Sequence, residues 1–195
     1  MRSHVEALAA IGTYNVASCA LSCVEKRQES LARYQAIDIL LGLQKTDRYG
    51  QTFSKPLQQL LRNYVVQHGK LLVSGSYAAS DQRSESDRKF LSDVFKVESV
   101  SSDSCHAGET VYAVRDSFDI FRIPNAEHYA ATSVDALQPL DGAATMLQYS
   151  DGQPAAIYYS GQNYRAWFMG FPFECIRQRS QRTMLMSTIM QQLFQ

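Results

Sequence analysis

Two apolar runs with an amphipathic segment between them restrict this chain more than any other feature. Residues 36–43 read Ala-Ile-Asp-Ile-Leu-Leu-Gly-Leu, and residues 70–74 read Lys-Leu-Leu-Val-Ser. Near-continuous apolar character of that length is what a strand covered on both faces requires, whereas a half-exposed strand alternates. Between the runs, Leu57, Leu60, Leu61, Tyr64 and Val65 recur at steps of three and four, the spacing of one helix face. Thr52 or Ser54 is placed to cap that helix and His68-Gly69 to close it. Strand, helix and strand of these lengths predict a right-handed crossover and two parallel strands.

The second run leads directly into Ser74-Gly75-Ser76-Tyr77-Ala78-Ala79-Ser80-Asp81. A buried strand entering a small-residue turn and then a polar helix start is the geometry of a nucleophile elbow, and equally of an anion-binding helix N-terminus. Ser76 is therefore the candidate nucleophile, and Ser74, Gly75, Tyr77 and Asp81 are candidate ligand contacts, with capping of the next helix the commoner role for an aspartate at position 81. Gln44 stands at the carboxyl end of the first strand, where open α/β sheets place ligand contacts. Asp38 lies inside an apolar strand, where a carboxylate is costly unless hydrogen-bonded, and satisfying backbone groups at a sheet edge is its plainer role. Tyr77, Arg165 and Trp167 are candidates for a sugar-binding surface, and Trp167 suits the core beside Phe168 equally well.

Elsewhere, residues 4–11 have a helical pattern ending at Gly12, and residues 15–20 read as a strand neighbouring 36–43 in parallel. A helix over 84–92 turns Phe90, Leu91 and Val94 inward. Beyond it come short β-like runs at 97–100, 110–114, 143–149, 155–159 and 164–168, with Asp151-Gly152 as a hairpin signal and partly antiparallel pairing expected. A final helix over 178–194 presents Met184, Leu185, Ile189 and Leu193 to the sheet. These readings together predict an α/β fold with a parallel crossover in the first half and additional, partly antiparallel strands in the second, in one domain over residues 1–195.

Composition excludes several functions. Lys+Arg and Asp+Glu each total 19, without a basic stripe, which argues against nucleic acid as a partner. No run approaches the ~20 apolar residues of a membrane span. Cys19, Cys23, Cys105 and Cys175 match no zinc-site spacing and are read as free thiols, a disulfide pair being the alternative in an exported protein. His4, His68, His106 and His128 are scattered, so no metal site is expected, and nothing in the sequence calls for a cofactor.

Three segments in fixed order resemble a known family: Tyr34-Gln-Ala-Ile-Asp-Ile-Leu-Leu-Gly-Leu-Gln44, Gly69-Lys-Leu-Leu-Val-Ser-Gly-Ser-Tyr77 and Met169-Gly-Phe-Pro-Phe-Glu174. The likeness is to secreted Bacteroidetes proteins labelled xanthan lyases or golvesin-like proteins, and to their class I glutamine amidotransferase-like domain. It implies a three-layer α/β fold of flavodoxin or amidotransferase-like type, its sheet mostly parallel with additional antiparallel strands in the second half, together with a secreted or cell-surface setting, carbohydrate or other domains of a parent protein as partners, and a chain truncated at its N-terminus. A missing first strand would leave a sheet edge open to self-association. Against the family's Gly-Xaa-Cys-Xaa-Gly elbow this chain has Ser76 at the nucleophile position. Against Phe-His-Pro-Glu it keeps Glu174 but has Pro172 where the base would stand. Serine without an adjacent base is a poor nucleophile, so the resemblance implies a degenerate, non-catalytic module with a ligand-binding or scaffolding role. The alternative is a serine hydrolase or polysaccharide-processing enzyme in which Ser76 recruits a histidine, His106 or His128, from elsewhere.

Overall fold

The structure is a computed structural model that describes residues 1–27, 29–100, 110–114, 116–121, 123–125 and 128–195. Its elements run α1 (Arg2–Ile11), α2 (Leu21–Glu25), β1 (Ile37–Gly42), α3 (Lys55–Val66), β2 (Lys70–Gly75), α4 (Glu85–Val94), β3 (Val97–Ser99), β4 (Thr110–Tyr112), β5 (Ser117–Asp119), β6 (Leu137–Pro139), β7 (Ala143–Tyr149), β8 (Pro154–Ser160), β9 (Arg165–Met169) and α5 (Arg179–Phe194). Short 3-10 turns occupy Leu31–Arg33 and Phe173–Cys175.

The crossover predicted from the two apolar runs is present. β1 and β2 pair in parallel with Ile39 opposite Val73. α3 lies between them in sequence, capped by Ser54, whose hydroxyl accepts from the Leu57 N–H at 3.3 Å, and with Pro56 in its first turn, where a missing N–H costs nothing. At its far end Gly69 is needed, because a Cβ there would sit 2.4 Å from the Tyr64 ring.

The sheet as a whole differs from the expected one. Its order is β1-β2-β9-β8-β7-β4-β5, and only the first two of its six pairings are parallel. It is a mixed, strongly curled half-barrel, mostly antiparallel, and not the mostly parallel flavodoxin-type sheet. The physical reason lies in the connections. Four residues join β7 to β8 and another four join β8 to β9, far fewer than the dozen or so a parallel crossover needs, so these strands must return as hairpins. Gly142 and Gly152, with φ of 80° and 84°, supply left-handed turn positions before and after β7.

Residues 15–20, expected as a parallel neighbour of β1, form no ladder and lie exposed, because Asn15, Ser18 and Cys19 offer no apolar face to bury. β1 consequently ends the sheet. β3 and β6 form a separate two-stranded antiparallel ladder.

Side-chain alternation along β2 and β9 sorts the core into two layers. Leu72, Trp167 and Met169 pack with Leu185, Met186, Ile189 and Leu193 of α5 and with Ala7 of α1. Leu71, Val73, Ala166 and Phe168 pack with Leu57 and Leu61 of α3 and with Phe90, Leu91 and Val94 of α4. Full burial of each such Leu, Ile or Phe is worth roughly 1.5–3 kcal/mol. Met184, expected inward, is 40% exposed, and Met186 is buried instead.

Candidate functional site

The turn after β2 is enclosed. Ser76 is fully buried, its N–H donates to the Gly42 carbonyl at 2.8 Å, and its hydroxyl has no hydrogen-bond partner among the described residues. Residues 76–81 continue as turns, and the next helix starts only at Glu85, with Ser84 as its cap. The strand therefore does not run into a helix start as expected. Gly75 permits close approach of the β1 end, since a Cβ would lie 2.7 Å from Leu41 Cβ. Ser74 is buried beside it, its hydroxyl likewise without a partner.

The candidate ligand contacts are spent on holding two loops together. The Asp81 carboxylate accepts from the Thr46 N–H at 3.0 Å, the Thr46 hydroxyl at 2.8 Å and the Thr52 hydroxyl at 3.1 Å. Gln44 donates from Nε2 to the Gln51 carbonyl at 2.7 Å, and Lys45 Nζ lies 5.0 Å from the centre of the Tyr77 ring. From the other side, Asp135 accepts the Ala79 N–H at 2.6 Å and the Ser80 N–H at 3.2 Å. Complete burial pushes the Asp135 carboxyl up to about 7, although these N–H donors oppose the shift.

Glu174 belongs to a different constellation, which the sequence reading did not assemble. His4, on the inner face of α1, places Nδ1 2.6 Å from Asp38 Oδ2 of β1 and Nε2 3.3 Å from Glu174 Oε2 in the 3-10 turn. The other Glu174 oxygen, Oε1, accepts a short hydrogen bond from the Tyr129 hydroxyl. The imidazole packs against Phe173, ring centroids 4.6 Å apart, and its side chain is 3% exposed. Carboxylates accept only, so both ring nitrogens donate and the ring is an imidazolium. Burial alone would lower its pKa, but Asp38 and Glu174 outweigh that and carry it up to about 9. For Glu174, burial acts upward and is overcome by His4 and Tyr129, which hold the carboxyl below its ordinary value. The Tyr129 hydroxyl is driven far up by burial and the Glu174 charge, so it stays a donor.

An imidazolium that gives both N–H groups to carboxylates has no lone pair with which to accept a proton. The cluster thus fixes α1 to β1 and to the segment after β9, and it is not arranged as a general base. Nor does either of the other two described histidines partner the Ser76 hydroxyl. His68 lies in the turn between α3 and β2, with φ of 62°, and the His128 ring stacks on Phe121 at 4.7 Å. His106 and Cys105 lie outside the described residues. Cys19, Cys23 and Cys175 are free thiols, and burial pushes that of Cys175 well up.

Comparison with known proteins bears on the fold alone. No protein-family model and no curated protein matches the chain. Solved structures do. Cytoplasmic Protein STM1381 from Salmonella typhimurium LT2 is similar with a TM-score of 0.62 at 14% identity, over 96% of this chain and 86% of that one. The mmIFT52 N-terminal domain is similar at 0.55 and 10% identity, over 87% and 79%. A cold-adapted β-galactosidase from Rahnella sp. R3 is similar at 0.52 and 14% identity, over 98% of this chain but 26% of that one. The chain spans about a quarter of the length of the mannosidase and β-galactosidases it matches. None of these is an amidotransferase or a xanthan lyase, and the resemblance drawn from the three segments is overturned. Its weak points were Ser76 and Pro172, at the two positions where that family's chemistry resides.

Trp167 is 1% exposed and donates from Nε1 to Gln192 Oε1 at 3.0 Å, which makes it core and removes it from a sugar-binding surface. Among the described residues no three-member His, Cys, Asp or Glu group is placed to hold a metal, and no helix is long and apolar enough to cross a membrane.

Proposed function

We propose that this chain is a non-catalytic domain with a ligand-binding or scaffolding role within a larger, carbohydrate-related protein. The observation that carries the reading is the state of its reactive groups. Among the described residues Ser76 is enclosed without a base, and the one imidazole held between carboxylates has both nitrogens engaged. Support for a carbohydrate-related module comes from the similar fold occupying about a quarter of the chain in two β-galactosidases. Among partners, a second copy is favoured at the end of the sheet, where β1 has β2 on one side and no described strand on the other.

A fluorophosphonate serine probe tests the central claim. Folded protein should remain unlabelled, and Ser76→Ala should change nothing. Stoichiometric labelling that Ser76→Ala abolishes overturns it. Sedimentation at rising concentration tests the edge: reversible dimerisation weakened by Leu40→Lys is expected, and a monomer throughout the millimolar range refutes the second-copy partner.

A further inference from the structure

One stretch of backbone and one sheet edge want the same partner. Residues 13–19 lie exposed and make no hydrogen bond among the described residues. The chain enters this stretch extended at Gly12, with φ of 172° and ψ of −176°, and leaves it extended at Ala20, with φ of −69° and ψ of 149°. No residue between them holds a left-handed φ. At about 3.3 Å per residue, residues 13–20 reach about 26 Å, enough to run the whole length of β1.

The outer side of β1 carries no ladder among the described residues, so alternate residues there present unpaired N–H and C=O groups. Native edges are blunted by charge, proline or a cover. Ile37–Gly42 holds no proline, and its single charge, Asp38, is engaged by His4 Nδ1 at 2.6 Å. Residues 13–20 are free of charge and proline as well, and include the β-formers Thr13, Tyr14 and Val16. Tyr14 and Val16, 42% and 49% exposed, are two apart and would share one face of a strand. The chain's own segment is anchored at both ends, by His4 and Ala7 of α1 and by Val24 of α2, which packs in the layer of α3. Another copy's segment carries no such tether to this edge.

We propose that residues 13–20 of one copy add as a strand to the β1 edge of a second copy, and that the second copy returns the same contact about a two-fold axis. Main-chain hydrogen bonds carry such an addition, which suits a stretch whose Asn15, Ser18 and Cys19 bring no apolar face. The inference rests on the second-copy partner proposed above and names the segment that meets the edge.

The test is hydrogen exchange of the full chain, read by mass spectrometry on peptides covering 13–20 and 37–42, with sedimentation at the same concentrations. Both peptides are expected to exchange at least roughly tenfold more slowly in the dimer than in dilute solution. Val16→Pro deletes one N–H from an exposed, unbonded position, so it should leave the monomer's thermal melt unchanged while weakening dimerisation at least about tenfold. A dimer that protects 37–42 but not 13–20 overturns this pairing and leaves the second-copy partner standing, with β1 meeting β1. Protection of 13–20 that does not change with concentration, or a dimer indifferent to Val16→Pro, overturns the pairing too. A chain that stays monomeric throughout removes both.

Discussion

Replacing His4 by Gln tests the charged cluster most directly. The wild-type ring is an imidazolium with its side chain 3% exposed, between Asp38 at 26% and Glu174 at 16% side-chain exposure. Removing one partner of a buried pair costs about 3–5 kcal/mol, because the other charge is stranded. Partial hydration of the two carboxylates argues for the lower end, about 2–3 kcal/mol at neutral pH. Glutamine fills much of the space and can donate to only one carboxylate, so packing loss on Phe173 is a minor part of this figure. Asp38 Oδ1 already lacks a partner, which leaves it no alternative donor when the ring is gone.

The pH dependence separates charge from packing. His4 has a folded pKa of about 9, above its ordinary 6.5, so its contribution is complete below pH 6.5 and is lost as pH rises through 9. That difference corresponds to about 3 kcal/mol over the window, in line with the mutational figure. Glu174 is shifted the other way. Its folded pKa is depressed, so its contribution is present above its ordinary 4.5 and is lost as pH falls through the folded value. Urea unfolding of wild type and His4→Gln at pH 6, 7.5 and 9.5 provides the assay. The stability gap should be widest at pH 6 and shrink toward pH 9.5. Taking the difference between the two chains cancels the ionisation of cysteines common to both. A gap that stays constant across this range, or an imidazole signal titrating near 6.5, refutes the charged-lock reasoning.

Three further outcomes follow from the same geometry. Asp135→Asn should remove a pH dependence of the same sense as that of His4, set at lower pH: the folded pKa of about 7 lies above the ordinary 3.8, so wild-type stability from this group is greatest in acid and falls toward neutrality, and the variant's relative stability should improve from pH 5 to pH 8 in urea melts. Asp81→Ala removes the acceptor of four donors on Thr46 and Thr52 and should cost about 2–3 kcal/mol, with limited proteolysis appearing first in residues 44–52. Gly170→Ala would set a Cβ 2.2 Å from the Asp135 carbonyl oxygen, a backbone atom that cannot swing aside, and thermal melts should show a loss above about 2 kcal/mol or failure to fold.

How much of this the sequence discloses depends on the range over which each signal acts. The β1–α3–β2 crossover is readable because its information is local: apolar runs fix the strands, the three-and-four spacing fixes the helix, and Ser54, Pro56 and Gly69 mark its ends. The pairing of β2 with β9 is not, since Lys70 meets Arg165 across 95 residues and no periodicity records which strand fills the sheet's centre. The hairpins of residues 143–169 gave a local signal in Asp151-Gly152 and in the short connections. Weighing those connections against the single crossover would have yielded a mostly antiparallel sheet.

The site was less legible for a related reason. Small residues around Ser76 signal tight packing as readily as a presented nucleophile, and here Gly75 admits Leu41 while the hydroxyl is sealed beneath. The informative anomaly was Asp38. A carboxylate inside an apolar strand demands a donor, and backbone groups at a sheet edge cannot neutralise it as a cation does. Between His4 and Ile11 the apolar stripe that turns α1 inward also turns His4 inward, where an unpaired imidazole would be costly. Two buried ionisable groups of opposite type, each in want of a partner, define a pairing without any motif.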